Sequence, residues 1–179
     1  MSHPRPASGS SRSPAIVVMG VSGSGKTSVG EGLAANLGLP LLEGDQFHPR
    51  ANIDKMSSGI PLVDADRWPW LDAIAKAMRE APDGVIVTCS SLRRVYRDRL
   101  REAAARPVLF VFLEGSKQTI AARLADRKGH FMPTSLLDSQ FATLEPPDAD
   151  EPGIVRVSIV PPVPEVIAAA LDGIAAKPG

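Results

Sequence analysis

The stretch that decides the fold is Gly20-Val21-Ser22-Gly23-Ser24-Gly25-Lys26-Thr27, which fits the pattern G-x-x-x-x-G-K-[S/T] at every fixed position. An apolar run over residues 15–19 precedes it, and residues 28–37 follow with the apolar spacing of a helix. Between a strand and a helix, glycines let successive N–H groups point inward and form a nest for phosphate oxygens. Lys26 is expected to reach the β- and γ-phosphates, and the Thr27 hydroxyl is expected to ligate Mg²⁺. The sequence therefore predicts a nucleoside triphosphate site.

The composition narrows the class of protein. The chain has 179 residues, with 20 Lys and Arg against 20 Asp and Glu, so its formal net charge is zero. This balance argues against a nucleic acid bound through bulk positive charge. The single cysteine, Cys89, excludes an intrachain disulfide and favours the reducing cytoplasm. No apolar run approaches the roughly 18 residues that cross a membrane. Residues 1–14, rich in Ser, Pro and Arg, are predicted to be a disordered leader, and residues 15–179 a single domain.

Segments typical of strands and helices alternate along the chain. Predicted strands cover residues 15–19, 39–43, 84–89, 107–113 and 154–159. Predicted helices lie at residues 28–37, around 70–78, at 94–105, 116–126 and 132–144, and around 166–174. This alternation predicts an α/β fold of three layers, with helices on both faces of a mostly parallel five-stranded sheet. Ligands of such sheets bind at the carboxyl ends of the strands, so the loops there are expected to form the site.

Missing motifs exclude several classes of phosphate-loop protein. A GTPase would carry N-K-x-D to read guanine, and the sequence lacks it. The two D-x-x-G matches, at residues 126–129 and 150–153, come too late in the chain for a GTPase switch. Motor and transporter ATPases end a central strand in an acidic residue, whereas the strand here ends in Thr88-Cys89-Ser90. The remaining class is the kinases of small molecules and nucleoside monophosphates, which hold the acceptor after the second strand and close a lid that carries arginines.

Several longer blocks carry a specific resemblance. They are Gly44-Asp45-Gln46-Phe47-His48-Pro49-Arg50-Ala51-Asn52-Ile53-Asp54-Lys55-Met56, Asp66-Arg67, Tyr96-Arg97-Asp98, Arg127-Lys128-Gly129-His130-Phe131 and Ser139-Gln140-Phe141. Over residues 16–174 the chain resembles bacterial gluconate kinases of the phosphate-loop type. The resemblance implies a P-loop NTPase fold like that of nucleoside monophosphate kinases, with a helical lid at about residues 123–145. It implies phosphorylation of D-gluconate at its 6-hydroxyl, with ATP and Mg²⁺, by a cytoplasmic homodimer. The product, 6-phosphogluconate, would enter the pentose phosphate or Entner–Doudoroff route.

The resemblance also implies roles for individual residues. Asp45 would orient the acceptor hydroxyl and accept its proton, with Lys26 and Arg127 as the other catalytic groups. Gluconate carries one carboxylate and five hydroxyls, so its site needs a basic clamp and many hydrogen-bond partners. The residues expected to bind it are Asp45, His48, Lys55, Arg67, Arg93 and His130, with Arg67 as the first candidate for the clamp. Arg123 and Arg127, four residues apart, would share a helix face, contact ATP and stabilise charge on the transferred phosphoryl group.

Two positions depart from the pattern of this family. Glu43 stands where the family has aspartate, and it is a candidate for a contact to Mg²⁺ through water. Arg93 stands where the family has lysine, so a planar fork of donors replaces a point charge. Simpler interpretations stay open for other site residues: a turn aspartate at Asp45, a structural cap at His48, a solvated Lys55, and a solvated basic face at Arg123 and Arg127.

Other functions also stay open from the sequence. The acceptor could be a different small polyhydroxy acid such as shikimate, or a nucleoside monophosphate such as AMP. The protein could instead bind nucleotide as a regulator without turnover, although the intact phosphate-binding and catalytic residues argue against this.

Overall fold

The computed structural model describes residues 12–127 and 134–178, and its centre is a parallel sheet between two layers of helices. The strands are β1 (Ala15–Met19), β2 (Leu41–Glu43), β3 (Val85–Thr88), β4 (Val108–Glu114) and β5 (Ile154–Ser158). The α-helices are α1 (Lys26–Leu37), α2 (Arg50–Ser57), α3 (Asp64–Glu80), α4 (Arg94–Ala104), α5 (Lys117–Asp126), α6 (Thr134–Thr143) and α7 (Val163–Ala175). A short 3-10 helix covers Gly44–Phe47. Of the helices in the described ranges, none is both long and apolar enough to cross a bilayer.

The sheet places β1 at its centre. The strands lie in the order β2-β3-β1-β4-β5, and all four neighbouring pairs are parallel. In this register Val17 of β1 is paired with Val87 on one side and with Phe110 on the other. Parallel strands are joined by crossover helices, which cover both faces of the sheet. The predicted three-layer α/β fold is therefore confirmed.

Two apolar cores lie on the two faces of the sheet. Because successive strand residues point to opposite faces, Ala15, Val17 and Met19 pack in one core while Ile16 and Val18 pack in the other. Residues of α3 and α4 complete the first core, and residues of α1 and α7 complete the second. Burial on both faces explains why the sequence of β1 is apolar throughout rather than alternating.

The structure differs from the sequence prediction in the polar segment after β2. This segment folds into the 3-10 helix and α2, neither of which the sequence pattern predicts. Asn52 is the one buried residue of α2, so the helix has no apolar stripe to reveal it. α1 begins at Lys26, two residues earlier than expected, directly after Gly25 in the left-handed conformation (φ +94°).

Parts of the predicted leader and lid lie outside the described residues, which omit 1–11 and 128–133. At the described end of the leader, the carbonyl of Ser13 accepts a hydrogen bond from Nε of the buried Arg106 at 3.0 Å. The described part of the predicted lid consists of the end of α5, all of α6 and the segment that follows it.

A buried ion-pair network joins α4 to the segment before β5. Arg97 donates from Nε and Nη2 to the two carboxylate oxygens of Glu151 at 2.6 and 2.9 Å, and Arg101 donates to the same carboxylate at 2.9 Å. Arg97 also donates to the carbonyls of Ser91 and Glu145, at 2.9 and 3.1 Å. Burial alone would raise the pKa of Glu151, but the hydrogen bonds from Arg97 and Arg101 outweigh it, and the pKa is lowered. The network thus fixes the loops that follow β3 and α6.

We expect Glu151→Ala to destabilise the fold strongly, because two guanidinium groups would lose their buried counter-charge. The free energy of unfolding, measured by urea titration, should fall by about 3–5 kcal/mol. Because the pKa of Glu151 is lowered in the folded state, this stabilisation is present at neutral pH and is lost as the pH falls through that pKa. Asp54→Ala, which breaks an exposed pair with Arg50, is the control and should barely move the urea midpoint. Equal effects of the two substitutions would contradict the importance of the buried network.

Candidate active site

The turn between β1 and α1 curls around the side chain of Lys26. Lys26 Nζ donates to the carbonyl oxygens of Gly20 and Val21 at 3.0 and 3.1 Å. Gly23 has a left-handed φ of +83°, and a Cβ at this position would lie 2.8 Å from the side chain of Leu124 in α5. Glycine is therefore required here both for the backbone angle and for the close approach of α5.

Lys26 lies in an environment that strengthens its attraction for anions. Burial lowers the pKa of Lys26, while Asp45, the thiol of Cys89 and Glu43 act in the opposite direction. The two carboxylates belong to the end of β2 and the turn after it, so this strand end lies close to the phosphate-binding turn. A partly desolvated charge interacts more strongly with phosphate than a solvated lysine does.

The turn after β2 is fixed against the end of β3 by a close backbone approach. A Cβ at Gly44 would lie 2.1 Å from the carbonyl oxygen of Thr88, so no other residue fits without a backbone shift. The Thr88 hydroxyl donates to the Glu43 carboxylate, and Trp70 Nε1 donates to the carbonyl of Gly44 at 2.8 Å. The neighbouring Asp45 is left exposed at the carboxyl edge of the sheet.

Two of the predicted substrate-binding cations differ in their surroundings. Lys55 Nζ donates to both carboxylate oxygens of Asp66 at 2.9 Å, so its charge is already balanced. Arg67 donates from Nη2 to the carbonyl of Leu62 at 3.2 Å, and its guanidinium carbon lies 5.3 Å from the centroid of the Tyr96 ring. The Nε of Arg67 is buried and has no hydrogen-bond partner among the described residues. Because Arg67 donates to a neutral carbonyl and Lys55 to a carboxylate, Arg67 suits an incoming anion better than Lys55 does.

Arg93 bridges two carboxylates that belong to other elements. It donates from Nη1 to Asp64 of α3 at 2.6 Å and from Nε to Glu145, after α6, at 3.2 Å. The Tyr96 hydroxyl donates to the same Asp64 carboxylate at 2.5 Å. Hydrogen bonds with Glu145, Tyr96 and Asp64 raise the pKa of Arg93. Arg93 therefore connects α3, α4 and the segment after α6 at the edge of the site.

The lid arginines do not share a helix face, contrary to the sequence prediction. α5 ends at Asp126, and Arg127 has backbone angles outside the helical region (φ −79°, ψ 107°), so the four-residue spacing no longer aligns it with Arg123. Arg123 donates to the backbone carbonyl of Ile159, whereas Arg127 is exposed. His130, the remaining predicted substrate-binding residue, lies outside the described residues.

The oxygen ligands near the turn suit a Mg²⁺ ion held together with a nucleotide. Thr27 is exposed in the first turn of α1, and the Glu43 carboxylate stands at the end of β2. Within residues 12–127 and 134–178, no group of three or more His, Cys, Asp or Glu could hold a metal ion. Mg²⁺ commonly takes one or two protein ligands and completes its shell with phosphate oxygens and water. Thr27 fits a direct ligand, and Glu43, already engaged by the Thr88 hydroxyl, fits a contact through water.

Known proteins are similar to this chain in sequence and in fold. The protein-family model described as "AAA domain" matches residues 16–147. A gluconokinase of Gluconobacter oxydans is 53% identical over 146 residues, which cover 80% of this chain and 81% of that protein. The thermosensitive gluconokinase of Escherichia coli is 51% identical over 148 residues, covering 80% and 78%. The chain belongs to the gluconokinase family.

A solved structure of the gluconokinase family has the same fold. The crystal structure of a gluconokinase from Sinorhizobium meliloti aligns with a TM-score of 0.84 and 52% identity, covering 90% of this chain and 91% of that chain. The predicted resemblance is confirmed, and so is the predicted P-loop kinase fold.

Two contacts of this gluconokinase-family site are not indicated by the sequence. Gln140 of α6 accepts a hydrogen bond from the backbone N–H of Ser22 at 2.7 Å and donates to the Ser22 hydroxyl at 2.8 Å. The other contact links Asn52 of α2 to His48. The S-Q-F and H-P-x-x-N blocks include Gln140 and Asn52, but no local pattern indicates which residues they contact. Gln140, in particular, meets a residue 118 positions away.

We expect Gln140→Glu to weaken ATP binding, because it places a negative charge beside the turn that must receive phosphate. At an effective dielectric constant of about 20, a unit charge a few ångströms away is enough to raise the KM for ATP about tenfold. Gln118→Glu makes the same change at an exposed position of α5 and should leave this KM unchanged. Initial rates over a range of ATP concentrations, at saturating acceptor, measure both. Equal KM values in the two variants would contradict a position of Gln140 beside the bound phosphates.

Proposed function

We propose that this protein transfers the γ-phosphoryl group of ATP to the 6-hydroxyl of D-gluconate, giving 6-phosphogluconate and ADP. The observation that carries the proposal is the approach of two strand ends: Gly44, between Glu43 at the end of β2 and Asp45, packs against the carbonyl of Thr88, and the next residue, Cys89, donates its N–H to Val18 just before the turn that holds Lys26. An acceptor held at Asp45 would thus lie beside the phosphates of ATP. Relatives that are 53% and 51% identical are gluconokinases, which favours gluconate over shikimate or AMP as the acceptor.

ATP would be held by the turn of residues 20–27. Lys26 would exchange the carbonyl oxygens of Gly20 and Val21 for oxygens of the β- and γ-phosphates. This exchange is favourable because a hydrogen bond between two charged groups is stronger than one to a neutral carbonyl. Arg123 and Arg127 would come from the lid side and balance the charge on the transferred group.

Gluconate would bind on the side of Asp45. Asp45 would orient the 6-hydroxyl toward the γ-phosphorus and accept its proton as the new oxygen–phosphorus bond forms. The carboxylate of gluconate would meet the guanidinium of Arg67, whose buried Nε lacks a partner among the described residues. The remaining residues proposed to contact gluconate are His48, Lys55, Arg93 and His130.

Mg²⁺ bound to ATP would neutralise part of the phosphate charge, with Thr27 as its protein ligand and Glu43 as a contact through water.

We expect the Thr27→Val variant to need about tenfold more Mg²⁺ for its half-maximal rate. Substituting a residue that only supports a metal ligand already lowers metal affinity by about 10–100-fold, so loss of the ligand itself should have at least a similar effect. Thr27→Ser keeps the hydroxyl and is the control, with a Mg²⁺ requirement near that of the unmodified protein. Mg²⁺ titrations at constant ATP measure both. The same requirement in Thr27→Val and Thr27→Ser would remove Thr27 from the metal site.

A coupled ADP-release assay with Mg-ATP tests the acceptor and the base together. The acceptors compared are D-gluconate, shikimate, other sugar acids and AMP, and we expect turnover with gluconate alone. Asp45→Asn should lower kcat by about 10²–10⁴-fold, the usual contribution of a positioned base. Asp54→Asn, on the exposed side of α2, is the control and should keep the activity of the unmodified protein.

Two results of this assay would overturn the proposal. Preferred turnover of another acceptor would replace gluconate, and full activity of Asp45→Asn would remove Asp45 from the reaction. ATP binding without turnover of any acceptor would instead indicate a nucleotide-binding regulator.

The proposal includes a homodimer that works in the cytoplasm and supplies 6-phosphogluconate to the pentose phosphate route. The family resemblance supports the dimer, and the free, buried thiol of Cys89 suits a reducing compartment. Light scattering on the protein as it elutes from a size-exclusion column would give the mass of the assembly directly.

A further inference from the structure

His48 is held on two sides by residues of α2 and α3. Its ring stacks on Trp70, with the ring centroids 4.2 Å apart and 13° between the planes. Trp70 is itself fixed, because its Nε1 donates to the carbonyl of Gly44 at 2.8 Å. On the edge of the ring, Asn52 Nδ2 lies 3.2 Å from His48 Nδ1. The imidazole cannot tilt or turn over without breaking one of these contacts.

The amide of Asn52 has one orientation that satisfies its surroundings. Its Nδ2 donates to the backbone carbonyl of Asp66 at 2.9 Å, and a carbonyl oxygen can only accept. Asn52 is 3% exposed, so turning the amide over would bring two buried acceptor oxygens together at a cost of unmade hydrogen bonds. The second hydrogen on Nδ2 is therefore the one that meets His48.

This contact determines where His48 carries its proton. Because an N–H of Asn52 points at Nδ1, this nitrogen must accept and carries no hydrogen. The neutral ring then has its hydrogen on Nε2, and the imidazolium form would set one donor against another. Burial lowers the pKa of His48, Asp45 acts to raise it and Arg67 to lower it, and the pKa is lowered overall.

The other edge of the ring is available to a ligand. Within the part of the chain that the structure describes, Nε2 makes no hydrogen bond, and the ring is only half buried. The charged groups that act on the ring are Asp45 and Arg67, which the proposed function assigns to the acceptor hydroxyl and carboxylate. We propose that Asn52 holds His48 as the neutral tautomer with its hydrogen on Nε2, and that this N–H donates to an oxygen of the bound sugar acid.

A neutral donor has a chemical advantage at this position. It can bind a hydroxyl oxygen of the acceptor without adding a positive charge near Asp45. Such a charge would lower the pKa of the aspartate and weaken it as a base. His48 would thus contact the substrate, and Asn52 would be a positioning residue that acts through it. The donor role rests on the proposed function, whereas the tautomer can be measured without turnover.

The first experiment is long-range ¹H–¹⁵N correlation NMR of the histidine-labelled full-length protein across the neutral pH range. The chain has three histidines, and the spectrum of His48→Gln identifies the signal of His48. We expect Nδ1 without hydrogen, Nε2 with hydrogen, and a titration below that of an exposed histidine. A hydrogen on Nδ1, or an imidazolium at pH 7.5, would overturn the proposal.

The same spectra test the donor role when D-gluconate is added in the presence of Mg-ADP. The Nε2 signal should shift as gluconate saturates the site, and an unmoved signal at saturation would overturn the donor role. Turnover of gluconate together with the other tautomer refutes this inference alone. The expected tautomer in a protein that does not phosphorylate gluconate refutes the proposed function and leaves the tautomer assignment intact.

Two substitutions of His48 distinguish the role of Nε2 from that of Nδ1. Glutamine can place an amide N–H near the position of Nε2, whereas asparagine reaches only the position of Nδ1. The KM for gluconate should therefore be about tenfold higher in His48→Asn than in His48→Gln. The asparagine variant loses one hydrogen bond to a polar ligand, and a loss of this size corresponds to about tenfold in KM. The reverse order would contradict donation from Nε2.

Changing Asn52 tests its positioning role. Asn52→Asp replaces the donor by a carboxylate that accepts from Nδ1–H, so the titration of His48 should move to higher pH. An unmoved titration in a folded Asn52→Asp protein would overturn the role of Asn52. Thermal melting establishes whether the variant folds, and if it does not, the His48 substitutions and the tautomer spectra decide the proposal.

Discussion

Gly44 packs so closely against the end of β3 that the main chain, not a side chain, sets the position of the turn after β2 relative to the phosphate-binding turn after β1. The carbonyl of Thr88 occupies the space a Cβ would need, which places Glu43 on one side of the contact and Asp45 on the other. β3 is paired with β1 in turn, and Cys89 N–H donates to Val18 just before the phosphate-binding turn at 3.1 Å. Main-chain contacts therefore hold the segment with Asp45, after β2, near the phosphate-binding turn, after β1.

A net charge of zero is compatible with two anionic substrates, because some cations near the site are paired with carboxylates and others are not. Asp66 balances Lys55, and Asp64 with Glu145 balances Arg93, so these cations mainly fix the backbone around the site. Lys26 makes its hydrogen bonds with neutral carbonyls, and the Nε of Arg67 has no partner among the described residues. Unlike Lys55 and Arg93, Lys26 and Arg67 thus donate to no carboxylate among the described residues, which leaves their charge for phosphate and carboxylate groups of a ligand.

The sheet and the phosphate-binding turn could be predicted because their signals are local. β1 is an unbroken apolar run, and the spacing of Gly20, Gly25 and Lys26 identifies the turn. α2 could not be predicted, because its buried residue is a polar one, Asn52, which serves hydrogen bonding rather than the apolar core. The end of α5 at Asp126 agrees with the prediction, but it leaves Arg127 outside the helix, so the predicted shared face of Arg123 and Arg127 is wrong. Pairs such as Arg97 with Glu151 depend on how distant elements pack, and no local pattern encodes them.

α6 and the segment directly after it contact both the phosphate-binding turn and the residues that support the proposed acceptor site. Gln140 bonds to Ser22 in the phosphate-binding turn, and Glu145, two residues beyond the end of α6, bonds to Arg93, which holds Asp64 at the start of α3. A helix of ten residues moves as a stiff unit, so any shift of α6 would carry the adjoining Glu145 with it and alter the contact at Arg93. When two binding sites share one such element, the effect of each ligand on the other is equal in free energy. Coupling between nucleotide and acceptor would therefore need no contact between the two, because α6 contacts the phosphate-binding turn and the segment joined to its end contacts Arg93.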